Sequence, residues 1–331
     1  MNVGIDEYNK LHSGEDAEER NSQYTKLVNS YYDLATVFYE WGWGSSFHFA
    51  HKLPFESFSE SIRRHEYQLA ACLGSAPTKV LDVGCGIGGP LRNITRFLPS
   101  ADITGITLNP YQVQRGNELC AKQGLDDRCR LVQGDFMKLP FDENTFDAAY
   151  AIEATCHAPD RVGVYSQILK VLKPGSIFAC YEWCMTDKYD PNNAEHRQMK
   201  KWIEEGDGLP DICSTKDCLQ AMKDAGFIIL KEEDVCDVYK GDGQDWNTPL
   251  LPSWNPLSQR FQFNWLGRRI VTVMLRTMEF IRLAPQGSYK TQQMLQRGGD
   301  GLGQGGLLEI FTPMYLMVGQ VPLNTAASQE Q

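Results

Sequence analysis

The segment LDVGCGIGG, from Leu81 to Gly89, places three alternate glycines directly after a β-branched run and directly before a helical pattern. Glycine has no Cβ, so Gly84, Gly86 and Gly88 let the backbone turn tightly and approach a ligand closely. A strand that ends in such a loop and continues into a helix is typical of an α/β sheet that binds a nucleotide at its carboxyl edge. This segment restricts the fold more than any other part of the chain.

Strand and helix patterns alternate after this loop. ADITGITL, RCRLVQGDF, FDAAYAIEA and GSIFACYEW are predicted as the second to fifth strands, with a helix from about Pro110 to Gly124. Residues 225–235 and 309–320 supply a sixth and a seventh strand. The alternation predicts an α/β fold with a Rossmann-like, seven-stranded sheet and helices on both of its faces.

Outside the core, the chain divides into segments of different character. We predict disordered tails at residues 1–22 and 321–331, a helical and aromatic lid at 23–75, the core at 76–238, and its final strand at 306–320. The remaining segment, 239–305, is an insertion between strands six and seven. So long a connection is usually functional, and we predict that this one forms a substrate-binding lid over the pocket. Within it, residues 263–283 have helical periodicity. We expect this helix to pack on the core rather than to lie on a membrane surface.

Composition excludes several classes of protein. The 331 residues carry a formal net charge of −10, which argues against a nucleic-acid partner because phosphate binding depends on Lys and Arg. The polar, acidic N-terminal residues resemble neither a signal nor a transit peptide, and no apolar run is long enough to span a bilayer. The ten cysteines form no C-x-x-C pair, so we expect reduced thiols and no metal site.

The spacing of the glycines and the residues at the strand ends narrow the choice of ligand. The glycines do not have the G-x-G-x-x-G spacing, and Thr107 rather than a carboxylate ends the second strand, which argues against NAD. GDF ends the third strand, where the carboxylate of Asp135 can accept from an adenine amino group. With LPFDENTFDAAYAIEA and LKPGSIF, residues 77 to about 185 resemble the Rossmann-like methyltransferases that use S-adenosylmethionine.

This resemblance implies a set of cofactor-binding residues. Asp82, Gly84 and Gly86 correspond to the methionine end, and Asp135 to the adenine. Thr107 and Asn109 are candidates for the ribose, where many members of this class have an acid. The full predicted set is Asp82, Gly84, Gly86, Gly88, Thr107, Asn109, Gly134, Asp135, Phe136 and Glu153.

Several longer motifs resemble one family within this class. YEWGWGSSFHF (residues 39–49), AIEATCHAP, YEWCMTDKYDPNNAEH, GDGLP and EFIRLAPQGSYK occur in the order found in sterol 24-C-methyltransferases. The resemblance extends from about Tyr31 to Tyr315. Trp41 is a departure, because many relatives have Tyr at this position and the phenol is therefore lost.

The resemblance implies a reaction through a carbocation. A methyl group is added to carbon 24 of a Δ24 sterol, a hydride shifts, and a proton is lost, as in ergosterol and phytosterol biosynthesis. Aromatic rings stabilise a cation through their π faces, and water has to be excluded. The catalytic candidates are Tyr39, Glu40, Trp41, Trp43, His48, Glu153, His157 and Glu182.

Structural roles compete with these catalytic ones. His48 can orient a backbone carbonyl, His157 can cap the helix that begins after Pro159, and Glu182 can pair with an arginine. The base that removes the final proton is open among Tyr39, His48, Glu153 and His157.

The resemblance further implies a Δ24 sterol as partner, peripheral association with the cytosolic face of the endoplasmic reticulum or of lipid droplets, and a homo-oligomer, in this family a tetramer. Two other functions stay open. One is methylation of another lipid or of a phosphobase, and the other is lipid binding without catalysis. Neither the preferred sterol nor the number of methyl groups added can be inferred from the sequence.

Overall fold

The computed structural model describes residues 23–26, 28, 44–284 and 286–323. Its centre is one seven-stranded sheet of order β3-β2-β1-β4-β5-β7-β6. The strands are β1 (Lys79–Val83), β2 (Asp102–Thr107), β3 (Cys129–Gln133), β4 (Phe146–Ile152), β5 (Leu172–Met185), β6 (Ile228–Asp234) and β7 (Phe311–Gln320). The predicted seven-stranded α/β fold is therefore confirmed.

Strand direction creates a binding crevice at one edge of this sheet. The first five strands pair in parallel, whereas β7 is antiparallel to both β5 and β6. Asp82 of β1 is in register with Gly105 of β2 on one side and with Tyr150 of β4 on the other. Because the strand order reverses at β1, the loops after β1 and β4 diverge and leave space for a ligand.

Helices cover both faces of the sheet, as expected. They are α1 (Phe58–Ala71), α2 (Gly89–Phe97), α3 (Pro110–Lys122), α4 (Arg161–Val171), α5 (Ala194–Asp207), α6 (Thr215–Asp224), α7 (Val235–Val238), α8 (Trp265–Phe280) and α9 (Ser288–Leu307). Short 3₁₀ helices lie at Phe136–Lys138, Thr155–His157, Thr248–Leu250 and Gln259–Phe263.

Alternate residues of each strand enter two separate hydrophobic cores. Val80 packs in the core that contains residues of α1, α2, α3, α5 and α9, whereas the adjacent Leu81 packs in the core beneath α4 and α6. Side chains alternate between the faces of a strand, so a strand covered on both sides is apolar throughout. All ten cysteines are free thiols.

The insertion contains a long helix that the sequence analysis did not identify. Helix α9 packs along α5 where Gly206 and Gly298 meet, and a Cβ on Gly206 would overlap the backbone of Gly298. The many glycines of α9 weaken its sequence signal, because glycine is a poor helix former in isolation. Close packing against α5 provides the stabilisation that intrinsic propensity does not.

Helix α8 contradicts the expectation that it packs on the core. Among its residues only Gly267 is buried, and Ile270, Val273, Met274 and Phe280 are exposed. The periodicity of this segment was interpreted correctly as helical, but its apolar side faces outward. No helix in the described ranges combines the length and the apolar character required to cross a membrane.

Candidate active site

A pocket of about 850 Å³, part of it open to solvent, lies in the crevice at the carboxyl ends of β1 to β4. It brings together most of the predicted site residues. Those lining it are His48, Asp82, Gly84, Gly86, Thr107, Asn109, Gly134, Asp135, Phe136, Glu153 and His157. Gly88 and Glu182 are not among the lining residues. Tyr39, Glu40, Trp41 and Trp43 lie outside the described residues.

The glycine loop forms the floor of this pocket. Gly84 and Gly86 have φ values of +77° and +53°, which residues other than glycine rarely adopt. The N–H groups of Gly84 and Cys85 donate to the carbonyl oxygen of Ile106, at 2.9 and 3.0 Å, and tie the loop to β2. Gly88 has a different position from the one expected, because it caps α2 and a Cβ there would face Arg92 and Leu131 rather than the pocket.

Asp82, the penultimate residue of β1, has a buried carboxyl group just before the glycine loop. The hydroxyl of Tyr150 donates to Oδ2 of Asp82 at 2.9 Å. Burial raises the pKa of Asp82 to about 7, against the opposing effect of this hydrogen bond. Burying this carboxyl group costs stability, so we interpret Asp82 as a binding group for a cation.

Asp135 follows β3 at the opposite end of the pocket. Its Oδ1 accepts from the backbone N–H of Met137 at 2.8 Å and also from the hydroxyl of Tyr24. Tyr24 and Val28 line the pocket from the N-terminal segment. Tyr24 has no local sequence signal for this role, because it lies 111 residues before Asp135.

The two residues proposed for the ribose are both engaged in local contacts. The hydroxyl of Thr107 donates to Oε1 of Gln112 at 2.6 Å. Oδ1 of Asn109 accepts from the N–H groups of Tyr111 and Gln112 and so caps α3. Both residues line the pocket, so their backbone and remaining polar atoms border the space between Asp82 and Asp135.

Glu153 follows β4 in the left-handed backbone region, with φ +52°. Such a conformation is strained for any residue except glycine and occurs preferentially at functional sites. Its Oε1 accepts from the N–H of Phe49 at 2.8 Å, and its Oε2 accepts from Nε1 of Trp183 at 2.7 Å. Burial raises the pKa of Glu153 to about 8, although His48 and both hydrogen bonds favour the charged form.

His48 is oriented by a carboxylate that the sequence analysis missed. Nδ1 of His48 faces the carbonyl oxygen of Phe49 at 2.8 Å, and Nε2 faces Oε1 of Glu66 at 3.1 Å. Both partners are acceptors, which favours the doubly protonated ring. Burial lowers the pKa of His48, but the hydrogen bond and the charge of Glu66 outweigh this effect and raise it overall.

Glu66 also joins the lid to the glycine-loop helix. It accepts from Oγ of Ser46 at 2.8 Å and from Nδ2 of Asn93, on α2, at 2.7 Å. A sequence signal for this residue existed. Glu66 lies four positions after Ile62 and three before Leu69, on the face of α1 that is apolar, where a carboxylate has to be paired.

The remaining catalytic candidates occupy different surroundings. Nδ1 of His157 contacts the carbonyl oxygen of Gly208 at 3.2 Å, rather than capping a helix, and burial lowers the pKa of His157 to about 4. Glu182 of β5 accepts hydrogen bonds from the hydroxyls of Thr155 and Tyr165. Burial lowers the pKa of Arg161, but the charge of Glu182 and its neighbours raises it overall, which fits the structural alternative for Glu182.

One buried group has the composition of a metal site. The ligand atoms of His48, His65 and Glu153 lie within 4.8 Å of one another. The same atoms of two of these residues are already hydrogen-bonded. His48 bonds to Glu66, and Glu153 bonds to Phe49 and Trp183. We therefore describe His48 and Glu153 as a hydrogen-bonded support of the lid, beside the buried His65, whose two ring nitrogens have no hydrogen-bond partner among the described residues and whose ring stacks on Tyr181.

The pocket fits S-adenosylmethionine. Asp82 and Asp135 place one carboxyl group at each end, and the positive-φ glycines keep side chains out of the space between them. Asp82 suits the ammonium of the methionine end, and Asp135 suits the amino group of adenine. The seven-stranded sheet with an antiparallel β7 and this site define a class I methyltransferase that uses S-adenosylmethionine.

Comparison with known proteins identifies the family within this class. The methyltransferase domain model matches residues 81–180, and the model of the sterol methyltransferase C-terminal region matches residues 258–323. The chain is 53% identical over 323 residues to cycloartenol-C-24-methyltransferase 1 of Oryza sativa subsp. japonica, covering 97% of this chain and 92% of that protein. It is 47% identical over 317 residues to a sterol 24-C-methyltransferase of Saccharomyces cerevisiae, covering 93% and 82%.

A solved structure shares the fold. The cyclopropane synthase MmaA2 from Mycobacterium tuberculosis superposes with a TM-score of 0.68 at 14% identity, covering 89% of this chain and 98% of that one. The chain belongs to the sterol 24-C-methyltransferase family. The family, enzyme class and cofactor expected from the sequence are confirmed, as is the expected function at the level of the family.

Proposed function

We propose that the protein methylates carbon 24 of a Δ24 sterol side chain and that Glu153 takes up the final proton. The membership of the chain in the sterol 24-C-methyltransferase family supports the reaction. The position of Glu153, a buried carboxyl group on the wall of the cofactor pocket, supports the assignment of the base. Bound S-adenosylmethionine supplies the electrophilic methyl group.

The acceptor is a carbon–carbon double bond, so no proton has to be removed before methyl transfer. As the new C–C bond forms, the methyl–sulfur bond of the donor breaks and its electron pair stays on sulfur, so the positive charge passes to the sterol. A hydride then shifts to the cationic carbon. The carboxylate of Glu153 stabilises that charge, because electrostatic attraction is stronger in a buried site than in water. The aromatic residues Tyr39, Trp41 and Trp43 contribute their π faces to the same cation.

Proton loss completes the reaction. A C–H bond beside the cationic carbon breaks, its electron pair forms the new double bond, and the proton passes to Glu153. A carboxylate whose pKa is about 8 is a stronger base than an ordinary glutamate, and its ionised, active fraction grows as pH rises towards 8.

His48 has a positioning role in this proposal. Its two ring nitrogens face acceptors, so it has no lone pair to offer to the substrate. With Glu66 it holds the backbone of Phe49, whose N–H in turn holds Glu153. Glu40, His157 and Glu182 remain candidates for supporting roles through charge or orientation.

The reaction is tested by incubating the protein with isotopically labelled S-adenosylmethionine and a panel of Δ24 sterols, with the products resolved by mass. We expect the label at carbon 24 of at least one sterol. Label transferred only to phosphobases or other lipids would support the first alternative function. Cofactor binding without transfer to any acceptor would support a lipid-binding protein on the same fold.

We also propose peripheral association with the cytosolic face of the endoplasmic reticulum or of lipid droplets, and assembly into a homo-oligomer of four copies. The low solubility of sterols in water supports the membrane association, and the resemblance to the family supports both proposals. Cell fractionation followed by alkaline extraction tests the first, and light scattering of the purified protein tests the second.

A further inference from the structure

A large apolar surface is exposed on and around α8. We define the α8 outer surface by the side chains that share this exposure: Trp254, Leu257, Trp265, Leu266, Ile270, Val273, Met274, Phe280, Ile281 and Leu283. Leu257 and Phe280 are 95% and 86% exposed. Soluble monomers rarely expose so many large apolar side chains together, and such a patch usually marks a contact with another molecule.

The residues of α8 that belong to this surface form one face of the helix. Successive residues advance by about 100° around a helix, which places Leu266, Ile270 and Val273 within one half of the circumference. The opposite half packs against α9 and against the 3₁₀ helix Gln259–Phe263, whose backbone at Phe261 a Cβ on Gly267 would overlap. It contains the buried Gly267 and the partly buried Leu275 and Met278.

Polar contacts hold α8 in this orientation. Arg268 forms a two-pronged ion pair with Asp300 of α9, with Nη1 and Oδ2 2.7 Å apart. The guanidinium of Arg276 lies 4.3 Å from the ring centroid of Tyr289. Turning the apolar face inward would break both contacts, so its outward orientation is part of the folded structure.

The surroundings of this surface are basic in a protein that is acidic. Residues 254–283 contain five arginines and one carboxylate, Glu279, whereas the whole chain has a net charge of −10. One of the five, Arg268, is paired with Asp300, so the other four face a single carboxylate within this segment. Arg269 and Arg276 are exposed beside Trp265 along one margin of the apolar face, and Arg282 is exposed beyond its end. Apolar side chains bordered by arginine and tryptophan are typical of helices that lie in the headgroup region of a membrane.

Charge also argues against a second copy of the chain as the partner. A two-fold symmetric contact places the same patch of both copies face to face. Such a contact would bring the arginines of both copies into one interface, to which residues 254–283 of each copy supply only one carboxylate, Glu279. A lipid surface with anionic headgroups instead offers opposite charge to the arginines and an apolar layer to Val273 and Phe280.

We propose that the α8 outer surface docks on a lipid surface that carries anionic headgroups, with α8 lying parallel to that surface. This inference rests on the proposed peripheral association and adds the part of the protein and the lipid charge that mediate it. Trp254 and Trp265, whose rings are 6.3 Å apart and edge-to-face, then lie at the level of the headgroups.

Vesicle flotation of the full-length protein tests the proposal. We compare phosphatidylcholine vesicles with vesicles in which part of the phosphatidylcholine is replaced by phosphatidylserine. We expect the wild type to bind the second kind more tightly. Val273→Asp should lower this affinity by about tenfold or more, because a buried apolar side chain is lost and a like charge is introduced. Arg269→Gln should lower it about fivefold, and only for the anionic vesicles.

Val162→Asp is the matched control, since Val162 is also exposed on a helix but lies on α4, outside the surface. Its vesicle binding should equal that of the wild type. Methyl transfer to a sterol supplied in cyclodextrin should be unchanged in all three variants, which separates docking from catalysis.

The possible failures can be told apart. If the wild type binds vesicles and Val273→Asp binds them equally well, the protein is peripheral but the α8 outer surface is the wrong surface. If Val273→Asp instead converts an oligomer into smaller species in light scattering, without a change in vesicle binding, a second copy covers the surface. If the wild type binds no vesicle and Val273→Asp only lowers the melting temperature, another segment of the chain covers it. A wild type that binds vesicles but methylates no sterol would contradict the proposed function alone.

Discussion

The backbone N–H of Phe49 donates a 2.8 Å hydrogen bond to the buried carboxyl group of Glu153. One contact thus joins the end of the aromatic segment to the end of β4. Phe49 in turn packs its ring against Trp183 of β5 and Trp246 of the insertion, with centroids 6.0 and 5.0 Å apart. The lid, the core and the insertion therefore meet at the wall of the cofactor pocket, beside the group that we assign as the base.

Replacement of Glu153 by Gln should slow turnover by about 100-fold or more, because the general base is lost. It should also lower stability, because the new NH2 group faces either the N–H of Phe49 or Nε1 of Trp183, and both are donors. The cation would then survive longer, and hydroxylated sterols should appear beside the normal product. Gas chromatography with mass detection measures both effects. A rate near that of the wild type with unchanged products would remove Glu153 from the reaction.

The pH profile provides the control for this assignment. Since the active form of Glu153 is the carboxylate and its pKa is about 8, kcat/KM of the wild type should rise with pH up to about 8 and then level off. Glu153→Gln should lose this upper step and retain the one near pH 7 from Asp82. The same profile in both proteins would contradict the assignment.

Asp82→Asn should bind S-adenosylmethionine poorly and yet unfold less easily than the wild type above pH 7. The pKa of Asp82 is about 7 in the folded protein and 3.8 as its reference value. Between these values the folded state holds a proton that the unfolded state has released, so stability falls as pH rises. Above pH 7 the wild type has lost up to about 4 kcal/mol of folding stability at this site, and an uncharged Asn avoids this loss.

Urea unfolding of both proteins at about pH 5 and about pH 8 measures how much more stable Asp82→Asn is than the wild type. This difference in free energy of unfolding should be larger at the higher pH. Calorimetry with S-adenosylmethionine measures the loss of binding. Equal pH dependence in the two proteins would show that Asp82 is not protonated in the folded state.

Glu66→Gln should lower the pKa of His48, because the negative charge that favours the imidazolium is removed. Nuclear magnetic resonance of the His48 ring during a pH titration measures this change. Cofactor affinity and kcat should also fall, since Ser46 and Asn93 lose a charged acceptor. Glu118→Gln, an exposed substitution on α3, is the control and should alter neither property. An unchanged His48 titration would contradict the positioning role of Glu66.

Asp135→Ala should weaken cofactor binding, whereas Tyr24→Phe should not. Loss of the acceptor for the adenine amino group should weaken S-adenosylmethionine binding by about tenfold or more. Loss of the Tyr24 hydroxyl removes a group that hydrogen-bonds the same carboxylate, so affinity should stay the same or increase. Calorimetry on the two variants decides this. Wild-type affinity in Asp135→Ala would mean that adenine binds elsewhere.

Trp43→Leu keeps apolar bulk and removes the π face. If Trp43 stabilises the cation, turnover should fall by about 30-fold, which corresponds to a lost cation–π contact of about 2 kcal/mol in a desolvated site. Hydroxylated or isomeric sterols should also form. If Trp43 only packs, stability should fall and the product mixture should be unchanged, and mass analysis at matched turnover distinguishes the two cases.

The sequence alone determined the fold and the class of cofactor. Gly84 and Gly86 are required by a backbone turn between a strand and a helix, and the strands carry their apolar character in consecutive residues. Both are local properties, so they are visible in a short stretch of chain. The long motifs from residue 39 onward then limited the chain to one family, because each of them is a contiguous run of unusual residues.

Only the tertiary structure decided how distant residues combine. Glu66 with His48 and Tyr24 with Asp135 are contacts between separate segments, and sequence spacing does not encode them. The orientation of α8 has the same origin. Periodicity shows that one side of that helix is apolar, but Arg268 and Asp300 determine that Val273 faces outward. The energy that orients a helix comes from the neighbours against which it packs, and these are brought together only when the whole chain folds.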